Sequence, residues 1–84
     1  MFDIMPALMR DGPLRVFFYS NESDPREPPH VHVIAGRDEA KFWLTPEVSM
    51  AYNDGLKPKL LSRALRLVEE NRAEFEEAWH EYFA

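Results

Sequence analysis

The hydrophobic period changes once along this chain, and that change limits the folds open to it. From Leu14 to Leu44 β-forming residues alternate with polar ones, whereas from Pro58 onward apolar residues recur at spacings of four and three. Period two is the signature of a strand with one buried face; period 3.6 is that of an amphipathic helix. Sheet first and helix afterwards, without interleaving, implies an α+β domain.

The expected elements follow from local signals. Asp11-Gly12 is a turn pair, and Leu14 to Ser20, with Val16, Phe17, Phe18 and Tyr19, reads as a strand. Asn21 to Pro29 is polar and proline-bearing, hence a loop. Val31 to Ala35 and Ala40 to Leu44 flank Gly36-Arg37-Asp38-Glu39, a four-residue hairpin turn. Pairing Ala35 with Ala40 sets Val33 against Phe42, Val31 against Leu44 and His32 against Trp43. Thr45-Pro46-Glu47 has a capping hydroxyl and a proline at the first helical position, so it starts a short helix that Asn53-Asp54-Gly55 ends.

Pro58 then opens a helix whose stripe is Leu61, Leu65, Val68, Phe75, Trp79 and Tyr82, with Arg72 on the same line. One continuous helix of about 25 residues, about 38 Å long, fits that register. Asn71-Arg-Ala-Glu74, however, has the form of a capping box that starts a second helix. The expected architecture is therefore a three-stranded antiparallel sheet packed on a long C-terminal helix, with a short connecting helix. Residues 1–84 form a single domain, with 1–12 an N-terminal extension, 14–44 the sheet and 46–83 the helical part. So long a helix overhangs so small a sheet, and its exposed end invites a homo-oligomer contact.

At 84 residues, one domain buries about 60–65% of its unfolded surface. The net charge of −5 argues against a general nucleic-acid binder, although a local basic patch stays compatible with it. With no cysteine, disulfide, thiolate and cysteine–zinc chemistry are all excluded. Met1 to Gly12 lacks the basic start and apolar run of a signal peptide, and no stretch approaches the ~20 apolar residues of a membrane span. A cytoplasmic location is expected.

Chemistry concentrates at residues 27–33, Glu-Pro-Pro-His-Val-His-Val. The prolines stiffen the approach and cannot continue a helix. Strand period then puts His30 and His32 on one face, about 7 Å apart, with Val31 and Val33 on the other. Three readings of the pair stand side by side. As metal ligands, two imidazoles take a divalent cation such as zinc, with His80, Glu77 or Glu81 as third ligand. As acid and base, they act on a phosphate-containing ligand that Lys41 and Arg15 steady while Tyr19 and Trp43 stack. As structural residues, they hydrogen-bond the backbone of the proline turn. The acidic run at Glu69, Glu70, Glu74, Glu76 and Glu77 reads as a solvated helix face.

The residues Phe17-Phe18-Tyr19-Ser20-Asn21-Glu22, Pro28-Pro29-His30-Val31-His32-Val33, Gly36, Ala40-Lys41-Phe42-Trp43-Leu44, Trp79 and Glu81-Tyr82-Phe83 give the chain its one resemblance. It resembles a small bacterial family catalogued as domain of unknown function 4160. Members commonly start Met-Pro, which implies that Met1 to Ile4 ahead of Met5-Pro6 is an extension or an alternative start. The resemblance implies a gene neighbour encoding a second small protein, an arrangement similar to toxin–antitoxin pairs. His30 and His32 fall on its motif and His80 does not. The functional expectation is a module of such a pair working through the histidine face, with a phosphodiester-cleaving toxin or a metal-binding protein as alternatives.

Overall fold

The computed structural model describes residues 7–19 and 27–83, so Met1 to Ile4 and most of the Asn21–Pro29 loop lie outside the described residues. Five strands, β1 (Met9–Asp11), β2 (Leu14–Phe17), β3 (His30–Ala35), β4 (Asp38–Trp43) and β5 (Ser49–Asp54), precede α1 (Pro58–Glu70) and α2 (Arg72–Tyr82). The sheet is antiparallel throughout, and its order is the order of the chain. The α+β class holds, but the sheet has five strands rather than three.

Both added strands come from segments read otherwise. Met9–Asp11, expected to be extension, pairs with β2 across a two-residue turn in which Gly12 takes a φ of 57°. The expected short helix is absent: residues 45–47 form bends, and Ser49–Asp54 pairs with β4 instead. Its capping signature is a local preference, and the open edge of β4 offers Ser49, Met50, Tyr52 and Asn53 a row of backbone partners that outweighs it.

The β3–β4 turn is also tighter than expected. Ala35 pairs with Asp38 rather than Ala40, leaving only Gly36 and Arg37 between the strands. Gly36 has a φ of 61° while no described non-glycine residue has positive φ, which is the type II′ arrangement. Val33 therefore faces Ala40, Val31 faces Phe42 and His32 faces Lys41. The shift is two residues, an even number, so every side chain keeps its expected face.

One sheet face makes the core. Leu14, Val16, Val31, Val33, Ala40 and Phe42 have no exposed surface and pack with Leu44 against Leu56, Ala64, Leu67, Val68 and Phe75. Each large side chain there contributes roughly 1.5–3 kcal/mol relative to exposure. Of the expected stripe, Leu61 and Leu65 are only half-buried and Tyr82 is exposed. The other edge is clasped by Arg63, whose Nε and Nη2 donate to Asp11 Oδ2 and Oδ1 at 3.2 and 3.0 Å, tying α1 to β1. That hydrogen bonding and the adjacent charge hold the Asp11 carboxyl below its ordinary 3.8 and raise Arg63.

The long helix is two helices. Asn71 closes α1 and opens α2 with φ −117° and ψ 19°, outside helical values. Its Nδ2 donates to Leu67 O at 2.9 Å, adding a side-chain bond to the 3.2 Å bond that this carbonyl accepts from the Asn71 backbone N–H. Asn71 thus acts as a C-cap and makes no side-chain N-cap bond to α2. Arg72, the polar residue on the apolar stripe, turns inward: Nε donates to Leu44 O at 2.6 Å and Nη2 to Pro46 O at 3.0 Å. The single helix of about 25 residues is thus replaced by one of 13 and one of 11 residues. No helix among the described residues is long and apolar enough to cross a membrane.

Candidate functional site

Because Val31 and Val33 are committed to the core, His30, His32 and Ile34 occupy the opposite sheet face. Register then assembles their neighbours. From β4, Trp43 lies across from His30, Lys41 from His32 and Glu39 from Ile34. From β2, Phe17 lies across from His32 and Arg15 from Ile34. On β5 a bulge decides the outcome: Lys41 pairs with Tyr52, but Phe42 pairs with Met50, leaving Ala51 as an extra residue. The extra residue reverses the parity of β5, so Tyr52 shares the histidine face and Met50 the other.

His32 sits at the centre of this face, only 3% exposed. Its ring stacks on Phe17 at 5.5 Å and meets the edges of Tyr19 at 4.8 Å and His30 at 5.3 Å. Its Nδ1–H donates to Glu39 Oε2 at 2.7 Å, and the Tyr52 hydroxyl donates to the same oxygen at 2.9 Å. The 3.5 Å approach between Tyr52 and His32 Nδ1 closes this triangle, since both atoms point their protons at Glu39. A carboxylate acceptor fixes the proton on Nδ1, so the neutral ring carries its lone pair on Nε2.

His30, with no exposed surface, is tethered differently. Nδ1–H donates to Pro28 O at 3.0 Å, the backbone of the proline turn, as the structural reading expected. Its ring lies between Trp43 of β4 at 5.5 Å and Trp79 of α2 at 4.7 Å. Glu27 Oε1 stands 3.8 Å from Nδ1 and accepts from Lys41 Nζ at 2.8 Å. Lys41 also rests 4.4 Å over the Trp43 ring, so its charge is matched on two sides.

The structure therefore gathers His30, His32, Lys41, Tyr19 and Trp43 into one cluster. Arg15 shares the face but stands a rung away, exposed and opposite Ile34. His80, with a side chain 64% exposed, pairs loosely with Glu76 on α2, and Glu77 and Glu81 are exposed on the same helix. Glu39, Tyr52 and Glu27 are members that the sequence reading did not name. A two-residue Gly36-Arg37 turn would have put Glu39 in β4 beside Lys41 and Trp43; Tyr52 was hidden in the expected helix.

As a metal centre the fit is poor. Both Nδ1 atoms are hydrogen-bonded and so are closed to a metal. Among the described residues no three His, Cys, Asp or Glu side chains group as a metal site requires. As acid–base apparatus, the Glu39–His32 pair is correctly connected, but both rings lie beneath aromatic neighbours.

The family model that matches is described as a domain of unknown function (DUF4160), and its match runs over residues 14–80. The chain belongs to that family. The DUF4160 match takes in β2 through most of α2, and therefore every member of the histidine cluster. No curated protein matches the chain, and no solved structure does.

Proposed function

We propose that this DUF4160 chain is the interaction module of a bacterial, cytoplasmic toxin–antitoxin-like pair, binding a second small protein through the sheet face that carries His30 and His32. The observation that supports this reading is the division of that face into a buried floor and an exposed rim. His30 and His32 are floor, with both Nδ1 atoms committed. Tyr52, 42% exposed, and the half-buried Trp43, Tyr19 and Glu39 are rim. Tyrosine and tryptophan presented on a rigid base are the residues that dominate protein interfaces. The gene context implied by the family resemblance supplies the partner class.

The test is co-expression with the protein encoded beside it, followed by calorimetry. A stable complex is expected, with Tyr52→Ala and Trp43→Ala each weakening it about tenfold or more. Absence of a complex, or one indifferent to both changes, would refute the reading.

The 2.7 Å Glu39–His32 bond favours one second reading, a phosphodiester-cleaving toxin in which His32 Nε2 serves as base. Lys41, matched by Glu27, is a poor phosphate anchor, so that part falls to Arg15. Inducing the wild type and a His30→Ala/His32→Ala variant at equal level in a bacterial host tests it. Growth arrest and RNA loss with the wild type alone would support cleavage; unaffected growth with both would count against it.

A further inference from the structure

Charge is sorted along the helical layer in a way the fold itself does not require. Residues 57–68 carry four cations, Lys57, Lys59, Arg63 and Arg66, and no acid; residues 69–81 carry six glutamates and one arginine. All four cations are exposed, as are Glu69, Glu70, Glu74, Glu77 and Glu81. In α1 this order opposes the helix dipole, which favours acids in the first turn and bases in the last; α1 has neither. Neighbours within the chain do not absorb the cations either. Only Arg63 is ion-paired, to Asp11, while Lys59 and Arg66 hold no ion pair among the described residues. Those two cations flank a groove of about 580 Å³ that Asp11, Ser62, Arg63 and Glu70 also line.

We infer that the helical layer is a self-association surface, on which two copies of this chain dock antiparallel, the basic α1 of each against the acidic α2 of the other. With Arg63 paired to Asp11, the groove keeps Lys59 and Arg66 against Glu70, an excess of positive charge whose complement is present in the chain itself. A two-fold axis presents it twice, since an isologous contact places each half opposite its opposite. Parallel stacking would set like charges together. The charged residues invoked lie within 57–81, whereas Tyr19, Glu39, Trp43 and Tyr52 of the proposed partner-binding rim do not, so separate variants test the two readings and they stand or fall separately.

Sedimentation equilibrium of the full chain tests this at about 20 mM and about 0.5 M salt, where the Debye lengths are about 20 and about 4 Å. A dimer at low salt that dissociates at high salt is expected. Lys59→Glu/Arg66→Glu and Glu74→Lys/Glu77→Lys should each raise the dissociation constant roughly tenfold or more at low salt. Mixed in equal amounts, these two variants should form a heterodimer, which also shows that each has folded. A monomer at low salt, a dimer that survives high salt, or a mixture that fails to associate overturns the inference. In the first case, binding of an acidic peptide from another protein would identify the groove's occupant as foreign.

Discussion

Replacing Glu39 by alanine removes the acceptor shared by His32 and Tyr52, and its cost can be worked from their surroundings. The His32 side chain is 4% exposed, so its Nδ1–H loses a 2.7 Å bond with little access to water. A buried donor left without its acceptor costs about 1–3 kcal/mol. Tyr52 is 42% exposed and its hydroxyl regains water, adding at most about 0.5 kcal/mol. The expected loss is about 2 kcal/mol, which for a domain of this size lowers Tm by roughly 8–16 °C. Urea unfolding followed by circular dichroism measures it, with an unchanged m-value required for a clean comparison. Glu69→Ala, on an exposed helix position, is the control and should stay within about 0.5 kcal/mol of the wild type. Tyr52→Phe alone should cost about 0.5 kcal/mol, and almost nothing once Glu39 is gone, because their shared acceptor has already been lost. If Glu39→Ala proves no worse than the control, the triangle does not hold His32 and the account of the site fails.

Three further perturbations test other parts of the structure. The Asp11 carboxyl lies below its ordinary 3.8, so its bond to Arg63 adds stability above that pH and loses it as pH falls through the lowered folded value. Arg63→Gln should therefore unfold earlier at neutral pH and converge with the wild type in acid; parallel curves would contradict the sign. Asn71→Ala removes the side-chain bond to Leu67 O, leaving the backbone one, and should cost about 1 kcal/mol by urea titration, with no loss expected if the break is set by packing alone. Gly55→Ala should cost about 2 kcal/mol or more, because φ is 105° and a Cβ would run into the Asp38 side chain, whereas Gly36→Ala, at φ 61° in open space, should cost about 1. Equal costs at the two glycines would show that crowding at Asp38 is not the cause.

Parity was legible in the sequence because Val31 and Val33 fix the buried face of β3 whatever their partners are. That alone put His30, His32, Lys41 and Trp43 together, and a register error of two residues did no harm. Parity was not legible in β5. Thr45-Pro46-Glu47 and Asn53-Asp54-Gly55 look locally like the ends of a helix, and only the free edge of β4 makes the segment a strand. The bulge at Ala51 is a tertiary fact as well, so Tyr52 had no local signal linking it to His32. The break at Asn71 was visible as an alternative, but its mechanism was not: the residue acts backwards on α1 through Leu67 rather than forwards on α2. Arg72 on an apolar stripe was anomalous until the carbonyls of Leu44 and Pro46 supplied its partners.

The position of His30 between Trp43 and Trp79 has a practical consequence. These are the chain's two tryptophans, so all of its indole emission comes from rings touching one imidazole. Separation of α2 from the sheet would remove one of the two contacts. Intrinsic fluorescence therefore watches this single junction without a label, reporting the docking of the last helix through wavelength.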